Sequence, residues 1–179
     1  MNRSAPVIFT MGHSTRSFEE LVDILRAHGV ERLVDVRTIP RSRHNPQFNR
    51  ETLSKSLRNR RFSYHHMKAL GGLRHASPDS INAGWRNASF RGFADYMQTP
   101  AFKKALARLI ELAKQKPTAI MCAEAVPWRC HRSLIADALI ARGYEVRDIM
   151  SAASAKPHRL NPMAEVYRQQ ISYPAEDRL

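Results

Sequence analysis

Cysteine is scarce in this sequence: Cys122 and Cys130 are the two among 179 residues. A pair cannot build the disulfide framework that small secreted domains use in place of a large core. Long apolar runs are missing too. No window approaches the roughly 20 apolar residues of a membrane span. The opening MNRSAPVIFTMGHS has no apolar stretch long enough for a secretory signal. The expected location is therefore a reducing cytoplasm, with no membrane partner. Acidic residues are few, 16 Asp+Glu against 29 Lys+Arg, which leaves a net charge of +13 with eight neutral His besides. A field of that sign draws phosphates, nucleic acid or anionic small molecules. No polybasic run concentrates it, since arginines are scattered from Arg3 to Arg178. That spread suits several anion contacts over a fold, or a surface kept basic for solubility, better than a disordered basic tail. Internal repeats and domain linkers are lacking as well.

What remains is ordinary globular composition, 43% hydrophobic and 25% charged, in a length suited to one domain. Val7 to Met11 reads as a short buried strand that stops at Gly12. Ser17 and Glu20 form a capping box. Phe18, Leu21, Val22 and Leu25 then recur at helical spacing up to Gly29, a left-handed cap. Leu33 to Val36 is the second strand and completes a right-handed βαβ unit. Asn49 caps a helix through Leu53 and Leu57, and Arg61 to Met67 holds a third strand. Residues 70 to 92 are rich in Gly, Ser and Asn without a period, as expected of a functional or mobile loop. Thr99-Pro100 opens a helix with Phe102, Ala105, Leu106, Leu109, Ile110 and Ala113 on one face. Thr118 to Met121 is the fourth strand, Leu134 to Leu139 mark a helix ending near Gly143, and Tyr144 to Ile149 is the fifth strand. This alternation predicts one α/β domain over 1–179, with a core at about 7–150 and a peripheral C-terminal tail at 151–179. Its expected form is a mostly parallel sheet of about five strands with helices on both faces, a Rossmann-like three-layer fold.

In such sheets ligands bind beyond the carboxyl ends of the strands. The unusual polar residues fall there: Gly12-His13-Ser14 after the first strand, Asp35 and Arg37 at the second, Cys122 and Glu124 after the fourth.

These loops carry a resemblance. Gly12-His13-Ser14 with Arg16, Asp35-Val36-Arg37 with Pro40-Arg41-Ser42, and Pro46 with Phe48-Asn49 come in order along the chain. Leu70-Gly71-Gly72, Cys122-Ala123-Glu124 and Cys130-His131-Arg132 follow. Over about residues 7 to 150 the chain resembles the bacterial family catalogued as Domain of Unknown Function 488. It departs from that pattern at Asp148-Ile149, where members often carry His-Ile. The resemblance implies the fold and the location of a site, and brings no settled reaction.

CAEAVPWRCHRS is the richest segment. Pro127 precedes a helix that Cys130, His131, Arg132 and Ser133 are expected to open, and free N–H groups at a helix start favour anions. Arg132 adds a bidentate fork for phosphate or carboxylate, joined on the rim by Arg37 and Arg41. The alternative is a charged surface turn with a solvated salt bridge. Gly12, Ser14, His131 and the Gly71-Gly72 loop, which could close over the site, complete the expected substrate-binding set. Cys130 at a helix start is a candidate nucleophile, with Cys122 the slower thiol, although free cysteines commonly serve as small buried hydrophobes. The strand–Cys–loop–Arg–helix order is that of a cysteine phosphatase. Six residues separate Cys122 from Arg129 without a glycine, however, so that chemistry is not assigned. Cys122, Glu124, Cys130 and His131 are all possible zinc ligands, but C-x7-C is not a knuckle spacing and adjacent Cys130 and His131 cannot easily both face one ion. No metal and no cofactor are expected.

Glu124 is the best acid/base candidate. His13 could share that role or could hold the Gly12 turn. Asp35, inside an apolar strand, needs Arg37 or His13 as a partner, or serves as an orienting group. Tyr64, His65, His66, Trp85 and Phe90 lie among basic residues and could stack on bases or pack the core. Two functions follow. One is an enzyme acting on an anionic, phosphate-bearing substrate such as a nucleotide or nucleic acid. The other is a non-catalytic nucleic-acid-binding or interaction module that uses the basic rim.

Overall fold

Each apolar run read as a strand lies in one sheet. The computed structural model describes residues 4–176. In it β1 (Ile8–Gly12), β2 (Arg32–Asp35), β3 (Ser63–His66), β4 (Thr118–Cys122) and β5 (Val146–Ser151) run parallel in the order β3-β2-β4-β1-β5. A sixth strand extends the expected five: β6 (Ser154–Pro157) pairs antiparallel with β5 through a tight turn at residues 152–153.

Strand alternation divides the buried side chains between two faces. Met11, Leu33, Ala119 and Met121 pack beneath α1 (Phe18–Ala27) and α2 (Arg50–Asn59). Val34, Val36, Ile120 and Cys122 pack beneath α3 (Ala88–Tyr96), α4 (Pro100–Gln115) and α5 (Arg132–Ala141) on the other face. The result is a three-layer α/β fold. Local signals act as expected at several ends. Ser17 and Glu20 make the reciprocal capping box, Thr99 Oγ1 accepts from Phe102 N–H, and Gly29 closes α1 with φ at +67°. Asn49 sits at the N-cap of α2, yet its side-chain oxygen accepts from Ser42 N–H at 2.8 Å, so it anchors the preceding basic loop rather than the helix.

The connections after β1 and β2 lead to α1 and α2 on one face. The connection after β4, which lies between those strands, leads to α5 on the other. A crevice must open where neighbouring connections diverge, and here it opens at Cys122.

Two stretches differ from the sequence expectation. The aperiodic region 70–92 contains the start of α3, where Asn87 Oδ1 accepts from Ser89 N–H and Phe90 N–H. Gly92 obscured that helix. A Cβ there would stand 2.5 Å from the Arg74 carbonyl, so the helix packs closely only with glycine at this position. The tail beyond Met150 is also more than a wrap. Besides β6 it forms the hairpin β7 (Glu165–Tyr167) and β8 (Gln170–Ser172), and it delivers a fully buried Tyr173 whose hydroxyl donates to Asp137 Oδ2 at 2.7 Å. Among the described residues no helix is long and apolar enough to cross a membrane.

Candidate active site at the carboxyl rim of the sheet

Backbone pairing draws the rim loops together. His13 N–H donates to Cys122 O at 2.9 Å, Ser14 N–H to Ala123 O at 2.9 Å, and Val36 N–H to Met121 O at 3.0 Å. Gly12 lies beneath the fourth-strand loop, where an added Cβ would stand 1.6 Å from Glu124 O, so no side chain is tolerated. The chain after β4 is thereby pressed onto the end of β1.

A cavity of about 480 Å³ opens above this junction. From the expected set it is lined by Arg37, Arg41, Gly72, Cys122, Glu124, Cys130 and His131. Thr38, Ile39, Leu73, Asn87, Ser89, Phe90, Ala123 and Arg129 complete the walls. Its size and mixed lining are those of a small-molecule site. Arg41 and Arg129 are exposed and make no ion pair among the described residues. The N–H groups of Ala123 and Glu124 likewise have no acceptor among the described residues. These are free donors on the wall that holds Cys122.

The other expected residues form the layer beneath. Asp35 is wholly buried and binds Arg37 bidentately, Oδ1 to Nε at 2.9 Å and Oδ2 to Nη2 at 2.7 Å, while Tyr64 O–H donates to Oδ2 at 2.6 Å. Arg37 also donates to Phe48 O at 2.7 Å. With the carboxylate as partner, Arg37 stays charged despite burial, which works against it. His13 donates from Nδ1 to Ser14 O at 2.8 Å and accepts at Nε2 from Arg37 Nη1 at 3.3 Å. Its ring stacks on Phe48 at 4.3 Å. Burial and the Arg37 charge outweigh the Ser14 bond and lower its pKa, so the ring is a neutral brace for the Gly12 turn. Ser14 takes the left-handed conformation there, with φ at +48°. Gly71 lies against Thr38 and Gly72 against the His131 ring.

His131 joins three loops. Its Nε2–H donates to both Val36 O and Leu70 O at 3.0 Å. Burial, against those two bonds, lowers its pKa to about 4, so Nδ1 presents a lone pair 3.5 Å from Cys130 Sγ. The helix starts later than expected. Cys130 closes the single turn Pro127–Arg129, and α5 begins at Arg132. The Arg132 side chain turns inward, fully buried beneath the loop. Its Nη1 donates to Cys122 Sγ at 2.7 Å and to Glu124 O at 2.6 Å, Nη2 to Ala125 O at 3.1 Å, and Nε to Thr10 Oγ1 at 3.3 Å.

The guanidinium thus meets Cys122, the thiol expected to be slower, and not Cys130. Burial raises the Cys122 thiol, but hydrogen bonding from Cys130 and the Arg132 guanidinium outweigh it and bring the group down to about 7. The neighbouring Cys122 and burial push the Cys130 thiol up. Among the described residues no three of His, Cys, Asp and Glu gather to hold a metal ion. Of the aromatic residues, Phe90 lines the cavity and stacks with Trp85 at 4.8 Å between ring centres.

A parallel α/β domain with an arginine-backed thiol in its switch-point crevice is the class that fold and site define. Residues 17–139, more than half of the chain, match the family described as Domain of unknown function DUF488. The chain belongs to that family. No curated protein and no solved structure matches it.

Proposed function

We propose that this protein is an enzyme acting on an anionic, phosphate-bearing substrate, a nucleotide or a nucleic acid, with the Cys122 thiolate as the reacting group. One observation carries the reading. Arg132 is a fully buried guanidinium without a carboxylate partner among the described residues, and the acidic group it touches is the Cys122 sulfur, 2.7 Å away. A buried charge requires a counter-charge, and the ionised thiol supplies it. The surrounding wall supports an anionic substrate: Arg41, Arg129 and two free amides stand where a phosphate would rest. Ile39, Leu73 and Phe90 offer an apolar side for the rest of the molecule. Glu124, on the same wall, is the group for moving a proton. Two free thiols suit a reducing cytoplasm as the place of action.

Thermal-shift titration with phosphate, against chloride at equal ionic strength, reads the anion site as a rise of RT ln(1 + [L]/Kd). The rise should vanish when Arg41→Ala and Arg129→Ala are combined. Screening nucleotides and oligonucleotides for turnover tests the chemistry: Cys122→Ser should abolish turnover and keep binding. Salt-sensitive oligonucleotide binding without turnover would select the non-catalytic module instead. No phosphate-specific rise would overturn the reading.

A further inference from the structure

A second buried polar cluster lies behind Arg132, built largely from the tail. His158, just after β6, donates from Nδ1 to Asp148 Oδ2 at 2.7 Å and from Nε2 to Asp137 Oδ1 at 2.8 Å. A ring that donates from both nitrogens is an imidazolium. Asp148 Oδ1 accepts from Thr10 O–H at 2.6 Å, and Thr10 Oγ1 accepts in turn from Arg132 Nε. The contacts thus run unbroken from His158 through Asp148, Thr10 and Arg132 to the Cys122 sulfur.

We propose that Asp148 and His158 are positioning residues of the active site, a relay whose charge sets how far Arg132 can stabilise an ionised Cys122. The proposal rests on Cys122 being the reacting thiolate. Asp148 alone would offset the Arg132 charge through Thr10. The imidazolium of His158, shared between Asp148 and Asp137, offsets part of the Asp148 charge and leaves more of the guanidinium to the sulfur. Burial opposes the proton on His158, but Asp137 and Asp148 hold it to about 9, so the relay is set throughout the neutral range.

Other groups face these two centres. His158 meets Asp137 from α5 and Asp148 from β5, with Tyr173 O–H on the far oxygen of Asp137. Lys156 and Arg159 flank it on its own segment and share its cavity of about 380 Å³. Cys122 meets Arg132 and Cys130, with Arg37 and Glu124 on the walls of its own cavity. Lys156, Arg159, Tyr173 and the groups around Cys122 stay constant in the test below.

The opposed signs of His158 and Asp148 make the relay separable from simple disruption. The pH dependence of Cys122 alkylation by iodoacetamide, read on its own peptide by mass spectrometry, gives the thiol midpoint without any substrate. The wild-type midpoint should lie near 7. His158→Gln removes a positive charge and should raise it by roughly half a unit or more, while Asp148→Asn removes a negative charge and should lower it by a similar amount. Asp137→Asn should also lower it, and it takes the place of Asp148→Asn if that variant fails to fold. Loosening of the site would move all variants the same way. Shifts of one sign, or none, with the wild-type midpoint still near 7, would overturn the relay alone. A wild-type midpoint at the ordinary thiol value of about 8.5 would instead overturn the thiolate reading, and the relay with it.

Discussion

Arg132 Nη1 lies 2.7 Å from Cys122 Sγ, while its remaining contacts are the carbonyls of Glu124 and Ala125 and the Thr10 hydroxyl. One side chain therefore both holds the loop and faces the thiol.

Replacing it separates these roles. Arg132→Gln should return the Cys122 midpoint to about 8.5 or above and slow its alkylation at pH 6.5 by about tenfold or more. Two loop carbonyls would lose a charged donor, so stability should fall by about 2–4 kcal/mol in denaturant titration. Arg132→Lys should restore part of the reactivity, because it keeps the charge, and little of the stability, because it lacks the fork. Unchanged alkylation in Arg132→Gln would show that the guanidinium does not govern the thiol.

The Gly12 junction yields a second expectation. Gly12→Ala places a methyl group 1.6 Å from the Glu124 carbonyl oxygen, where backbone must move. The loop that carries Cys122 should lift, and stability should drop by more than about 2 kcal/mol. A melting temperature within a degree of wild type would mean that the Glu124 carbonyl does not press on β1.

The third expectation concerns pH. His158 is held to about 9 in the folded chain, against about 6.5 when unfolded. A raised pKa gives stability that is complete below 6.5 and is lost as pH rises through 9. Cys122, lowered to about 7, acts in the opposite sense over part of that window, so wild type alone would show a muted slope. Comparison with His158→Gln removes most of that overlap, because the Cys122 midpoint should move by only about half a unit between the two proteins. The stability gap between the two proteins should be widest near pH 6 and narrow by on the order of 2–3 kcal/mol by pH 9.5. A gap that stayed constant across the range would show that His158 binds no extra proton in the fold.

Much of this arrangement was legible in the sequence. Period and capping placed five strands and four of the five helices around them, and the rule for parallel sheets located the rim from three loops alone. The fate of Arg132 was not legible. Its burial rests on bonds to Thr10, Glu124 and Ala125, and Thr10 lies 122 residues away along the chain. In the fold the guanidinium meets Cys122 under the loop instead of standing on the rim beside Cys130. His158 gave no signal at all, because it meets Asp137 and Asp148 across 21 and 10 residues of chain and Thr10 bonds Asp148 across 138. Asp148 itself was visible as the departure from the family pattern, and in the fold it belongs to this buried cluster.

The bifurcated bond from His131 to Val36 O and Leu70 O has a consequence for how the cavity receives its ligand. It rivets the end of β2, the Gly71-Gly72 segment and the start of α5 into one frame. A pocket framed in this way has little ordering left to undergo when it fills, so association should proceed in one kinetic phase, limited by encounter rather than by rearrangement.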